Sequence, residues 1–177
     1  NHGAYTVKDY PAEIRLMDQP GVYPMAEQYL TLVHKTEDQF LRLTEYFSRQ
    51  DEPVLILMFG DHQPSVEPAF LNKAYGVEDG TLSMEEYMNK FRVPFVLWAN
   101  YPLPETALPE ISLNFLSSLL LDYAGLETDA YGQYLQTLRT SLPVVTFAGY
   151  MDSQGNAYSH WESTDFTAVL EDYQTLQ

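Results

Sequence analysis

The chain of 177 residues contains no cysteine. That removes disulfides, thiolate metal sites and cysteine nucleophiles together, and it leaves the compartment open. Basic residues are scarce as well: 9 Lys and Arg stand against 25 Asp and Glu, for a net charge of -16, and no basic cluster interrupts the acidity. Nucleic acid is excluded as a partner, because binding a phosphate backbone needs a basic footprint. The same acidity repels anionic lipid headgroups, so charge-driven adsorption to a membrane is excluded too. An anionic substrate would need a local metal ion or a few cations to overcome the field. No stretch approaches the roughly 20 apolar residues of a membrane span. There is also no initiator Met and no signal peptide, so the sequence suggests a portion of a longer protein. What is present is a core: 45% hydrophobic and 14% aromatic residues exclude a disordered chain, and the length fits one domain or a large piece of one.

The most informative stretch runs from Pro53 to Pro64, PVLILMFGDHQP. Six consecutive apolar residues, Val54 to Phe59, predict a strand buried on both faces. The run stops at Gly60, where a tight turn is expected, and two metal-ligating residue types follow, Asp61 and His62. In open α/β sheets ligands sit beyond the carboxyl ends of strands, so these side chains are placed where an active site forms. A carboxylate beside an imidazole suits Zn²⁺ or Mn²⁺ better than Ca²⁺, which takes oxygen ligands alone. The alternative is structural, with Asp61 capping the following turn and His62 an ordinary loop residue.

Along the chain, residues 1–24 carry turn formers throughout and no sustained period, which predicts a loop. Met25 to Gln50 is helical, with Tyr29, Val33, Thr36, Phe40, Leu43 and Phe47 on one stripe. This helix feeding an apolar strand reads as half of a βαβ unit. Glu67 to Tyr75 predicts a short helix ended by Gly76. Ser83 and Glu86 form a capping box for a helix to Phe91. Val93 to Ala99 is a second buried strand, and Ser112 to Tyr123 a helix closed by Gly125. Thr128 or Asp129 caps a helix through Thr140 with Tyr131, Tyr134, Leu135 and Leu138 inward. Val144 to Tyr150 is a third strand, Asn156 to Trp161 completes a hairpin, and a last helix begins at Ser163 or Thr164. The pattern is α/β with three or four strands, fewer than such a sheet usually needs.

YLTLVHKTEDQFLRLTEYF, EPVLILMFGDHQP and VPFVLWANY, in that order and spacing, resemble the carboxyl-terminal half of the sulfatase-like domain of lipoteichoic acid synthase-type phosphoglycerol transferases, in the alkaline phosphatase superfamily. The likeness runs from NHGAY to DFTAVLEDYQTLQ. It implies part of a three-layer α/β/α sandwich, with a central sheet, flanking helices and a carboxyl-terminal hairpin, the whole chain being one segment of one domain. It implies that Asp61 and His62 ligate one catalytic divalent ion, Mn²⁺ or Zn²⁺ with Mg²⁺ an option. His2 would contact the phosphate or glycerol of an anionic, phospholipid-derived or glycan ester substrate, and Gln63 would support the loop. The family's nucleophilic threonine and an acidic ligand lie in the amino-terminal half of its domain, which would precede Asn1. The piece is therefore expected to be soluble, inactive alone and prone to self-association at an exposed sheet edge, its parent a bacterial membrane protein with an extracellular catalytic domain.

Rival functions are a sulfatase or phosphodiesterase acting on another ester, and a non-catalytic sulfatase-like binding module. The remaining singular residues take plain readings. His34 is expected to hydrogen-bond toward the core, His160 to pack or sit at the surface, and Glu37 with Asp38 to form a solvated helix face. Tyrosines at helical spacing, including Tyr29, Tyr46, Tyr131 and Tyr134, are expected to pack.

Overall fold

A computed structural model describes Gly3, Tyr5 and residues 11–77, 82–104 and 110–176. The chain divides into two compact units, the first of residues 1–82 and 89–106, the second of 83–88 and 107–177.

The first unit is built on α1 (Pro24–Phe47), β1 (Leu55–Phe59), α2 (Pro68–Tyr75) and β2 (Phe95–Ala99). Helix α1 begins with Pro at its first turn, where a missing N–H costs nothing. Its buried residues are Ala26, Glu27, Gln28, Thr31 and Thr44, so burial is concentrated in the first two turns. The expected stripe is corrected by this: Val33 and Leu43 are each 43% exposed and Tyr46 is 61% exposed. The physical reason is local cover. Thr31 Oγ1 accepts from Glu13 N (3.0 Å) and Ile14 N (2.9 Å), laying the preceding segment over the amino-terminal half of the helix. A small core gathers there, with Tyr5, Ala26 and Val66 buried and Tyr23, Met25, Tyr29, Leu32, Phe70 and Leu71 packed against them.

β1 and β2 pair antiparallel, Leu55 opposite Ala99 through Phe59 opposite Phe95. The α/β character stands, but β1 is half-buried rather than covered on both faces, with Phe59 49% exposed. An apolar run alone does not show which of its faces other segments will cover. Asn100, directly after β2, sets where β1 begins. Its side chain accepts from Val54 N (2.8 Å) and donates to the carbonyls of Phe47, Gln50 and Glu52 at 2.8–3.2 Å.

The second unit holds most of α3 (Met84–Asn89), a 3₁₀ turn (Leu113–Phe115), α4 (Leu116–Tyr123), α5 (Ala130–Ser141), β3 (Val144–Val145), β4 (Tyr150–Met151), β5 (Ala157–Tyr158) and α6 (Thr167–Leu176). The three strands make an antiparallel meander in the order β3-β4-β5, with the carboxyl-terminal hairpin the sequence predicts. The core is Phe115, Leu135, Leu138, Leu142, Tyr150, Leu170 and Tyr173. The expected strand Val144 to Tyr150 is broken in its middle because Thr146 Oγ1 accepts from Ala148 N (3.1 Å) and Gly149 N (3.3 Å), closing a turn. A Cβ on Gly149 would lie 2.5 Å from the Tyr158 carbonyl oxygen, so no larger residue fits where the chain re-enters the sheet.

Two cap expectations hold in detail. Ser83 and Glu86 bond reciprocally, Ser83 N to Glu86 Oε2 at 2.8 Å and Glu86 N to Ser83 Oγ at 3.2 Å. Asp129 Oδ1 accepts from Gly132 N at 2.8 Å. Asp129→Ala is expected to cost about 1 kcal/mol, the usual worth of an amino-terminal cap, measured as a lower midpoint in urea unfolding with an unchanged slope.

Candidate active site at the end of β1

The strand ends at Phe59, and Gly60 N donates to Pro94 O at 3.0 Å, adding one rung beyond β2. Gly60 has no positive φ; it is glycine because a Cβ there would meet Val93 Cβ at 3.0 Å. Close approach, not backbone freedom, is thus the requirement. Asp61 and His62 follow on the exposed turn, their side chains 78% and 58% exposed. Asp61 Oδ1 accepts from His62 N at 3.0 Å, a short capping bond of the kind the structural alternative calls for. The second oxygen, Oδ2, lies 3.5 Å from His62 Nε2.

The other ring nitrogen decides what this pair can do. His62 Nδ1 is 2.9 Å from the Gln63 carbonyl, which can only accept, so Nδ1 carries the proton. In the neutral ring Nε2 then holds the lone pair, on the side of Asp61. A backbone carbonyl that fixes the tautomer in this way is the usual support of a metal-ligating histidine. Two donors of one ion, bonded at about 2.0–2.2 Å and at a tetrahedral angle, stand roughly 3.3–3.6 Å apart. The observed Oδ2–Nε2 separation of 3.5 Å is compatible with both atoms binding one divalent ion. Among the described residues no group of three or more His, Cys, Asp or Glu gathers around a common point.

The loop around the pair is fixed by residues that carry no metal chemistry. Gln63 donates its side-chain amide to Arg92 O, as its expected supporting role requires. Val66 is buried in the core with Tyr5 and Ala26. Tyr5 stacks edge-on against Tyr29 at 5.6 Å, and its hydroxyl is held above its ordinary range by burial first, then by Tyr29 and by the charge of Asp61. His2 itself lies outside the described residues.

Other sequence candidates fall elsewhere. His34 is exposed beside Glu37, 3.6 Å away, rather than turned toward the core. His160 Nε2 is 2.5 Å from Thr146 O and its ring lies 5.6 Å from that of Tyr150, a packing role in the second unit. Glu37 and Asp38 are exposed, as a solvated face would be. Two carboxylates that the sequence does not single out matter more. Glu27 is fully buried and accepts from Arg15 Nη1 (2.6 Å), Leu16 N (3.1 Å) and Gly21 N (2.8 Å). Glu67 accepts from Met25 N (2.8 Å) and Ala26 N (3.0 Å). Neither has a local signal, since their partners are loop amides or lie 41 and 42 residues away.

Comparison with known proteins places the chain by family and by fold. Residues 1–126 match the sulfatase family. A protein of Rhizobium meliloti (strain 1021), named for the modification of cyclic beta-1,2-glucan, is 25% identical over 185 aligned positions, covering 99% of this chain and 29% of that protein. The phosphoglycerol transferase GacH of Streptococcus pyogenes, solved in complex with sn-glycerol-1-phosphate, superposes with a TM-score of 0.61 at 15% identity, over 86% of this chain and 34% of that one. This chain thus spans about a third of each. Among the described residues no helix is long and apolar enough to cross a membrane. The fold is that of the alkaline phosphatase and sulfatase-like enzymes, and the chain belongs to the sulfatase family.

Proposed function

We propose that the chain is the carboxyl-terminal catalytic segment of a metal-dependent phosphoglycerol transferase of the bacterial cell envelope, acting on a phospholipid-derived or glycan ester. The observation that carries this reading is the Asp61–His62 pair at the end of β1, spaced at 3.5 Å with the imidazole oriented by the Gln63 carbonyl. The sulfatase-family match and the likeness to a phosphoglycerol transferase support it, and a relative named for glucan modification favours a glycan acceptor.

Asp61 and His62 would hold one divalent ion, Mn²⁺ or Zn²⁺. When bound, such an ion supplies Lewis-acid polarisation of a phosphoryl oxygen and lowers the pKa of an attacking hydroxyl. Asp61 contributes the negative charge that the site needs to retain a cation, and His62 a neutral donor locked in one tautomer. His2 donates to the ester's anionic oxygens, where charge grows as the bond to the leaving group lengthens. The family resemblance assigns the attacking threonine and a further acidic ligand to the amino-terminal half of the domain. The parent is membrane-anchored with its catalytic domain outside the cell.

Calorimetric titration of the full-length protein with Mn²⁺ and with Zn²⁺ tests the assignment. One ion is expected to bind, and Asp61→Ala with His62→Ala is expected to weaken it by at least about a hundredfold. Binding that ignores the double substitution would make the turn structural and favour the non-catalytic module. Where the metal site stands, turnover of an aryl sulfate in place of a phosphoglycerol ester would assign the sulfatase reading instead.

A further inference from the structure

We propose that Glu67 is a positioning residue for the Asp61–His62 pair, acting as a clamp that ties the loop after β1 to the amino terminus of α1. The proposal rests on the reading of that pair as metal ligands. It starts from the backbone donors of α1, which must all be satisfied. Pro24 has no N–H, Glu27 N reaches Tyr23 O at 3.0 Å, and the residue preceding the helix, Tyr23, gives no side-chain cap. The two donors between them, Met25 N and Ala26 N, are taken one each by the two carboxylate oxygens of Glu67, at 2.8 and 3.0 Å. A negative charge there also meets the positive end of the helix dipole.

The same residue starts the next helix. Glu67 O accepts from Phe70 N at 3.0 Å and Leu71 N at 3.2 Å, so its backbone begins α2 while its side chain caps α1. Residues 60–67 are thereby held at both ends and in the middle. Gly60 N bonds Pro94 O at the strand end, Gln63 bonds Arg92 O halfway, and Val66 is buried immediately before the clamp. Asp61 and His62 are themselves exposed and lie on the span between these anchors. Removing the Glu67 carboxylate strands two amide donors and releases the carboxyl end of the loop. The loop's other anchors persist, so the chain still folds with the ligand pair less well aimed.

Glu67→Ala, Glu67→Gln and Asp129→Ala in the full-length protein separate positioning from stability, each read by Mn²⁺ titration and by amide hydrogen exchange of residues 61–66 without metal. Glu67→Ala is expected to weaken Mn²⁺ binding about 10–100-fold, the usual effect of losing support behind a ligand, and to speed exchange in the loop. Glu67→Gln keeps one acceptor and recovers part of both. Asp129→Ala lowers stability through another helix and leaves both unchanged. The clamp is overturned if Glu67→Ala lowers the melting temperature while Mn²⁺ affinity stays within about twofold and loop exchange is unaltered. Should the unaltered protein bind no Mn²⁺, the metal reading falls, and the metal-free exchange still decides whether Glu67 fixes the loop.

Discussion

Asp61→Ala in the full-length protein is expected to lower turnover of a phosphoglycerol ester by about three orders of magnitude, with the melting temperature within about 2 °C of the parent. The first figure follows from losing a charged ligand: stabilisation of transition-state charge by a bound ion is worth several kcal/mol, and each 1.36 kcal/mol is about tenfold in rate. The second follows from exposure. The Asp61 side chain is 78% exposed, and it accepts from the neighbouring His62 amide, so among the described residues its removal strands no buried group. Rate and stability are thus expected to separate, and a steady-state assay run beside a thermal melt reads both. A loss smaller than about tenfold would remove Asp61 from the chemistry.

The second large effect has the opposite character. Glu27→Ala is expected to destabilise the first unit by about 2–4 kcal/mol, because Leu16 N, Gly21 N and Arg15 lose their shared acceptor beneath a fully buried position. Arg15 is 53% exposed and can return to water, which keeps the cost below that of a wholly buried pair. The carboxyl of Glu27 is held below its ordinary range. Burial alone would raise it, but the bonds from Gly21, Arg15 and Leu16 together outweigh that. Asp152 is lowered in the same sense, first by the side chain of Asn156 against the opposing effect of burial, then by Asn156 N, the Tyr158 hydroxyl and Gln154 N. A carboxyl lowered in the folded state contributes stability above its unfolded pKa, about 4.3 for Glu and 3.9 for Asp, and loses it as pH falls through the folded value. Urea midpoints measured from pH 7 downward should therefore hold steady to about pH 5 and then decline. Glu27→Gln, weaker at pH 7, should show a shallower decline. Parallel profiles for the two proteins would mean that Glu27 is not a source of acid sensitivity.

What was legible in the residues shares one physical property, short range. Asp129 and the Ser83–Glu86 box cap helices within three residues of themselves, so their bonds are written in the spacing. The end of β1 at Gly60, with Asp61 and His62 beyond it, is likewise local, and the family likeness was carried by contiguous motifs. Misreadings came where the outcome depends on what another segment covers. An apolar run gives a strand but not its cover, and β1 is half-buried where burial on both faces was expected. A helical stripe gives a face but not its cover, so Val33 and Leu43 stand exposed while the polar Glu27, Gln28 and Thr31 are buried.

The sequence by itself determined the acidic, cysteine-free α/β character, the local caps and the placing of Asp61 and His62 just beyond the end of β1, because composition and contacts within a few residues need no tertiary information. Only the tertiary structure decided that Gly60 is required by the approach of Val93, that Asn100 sets the start of β1 and that Glu67 closes the amino terminus of α1. Each of these joins groups 33 to 46 residues apart in sequence, where a residue type carries no mark of the partner that folding will bring to it.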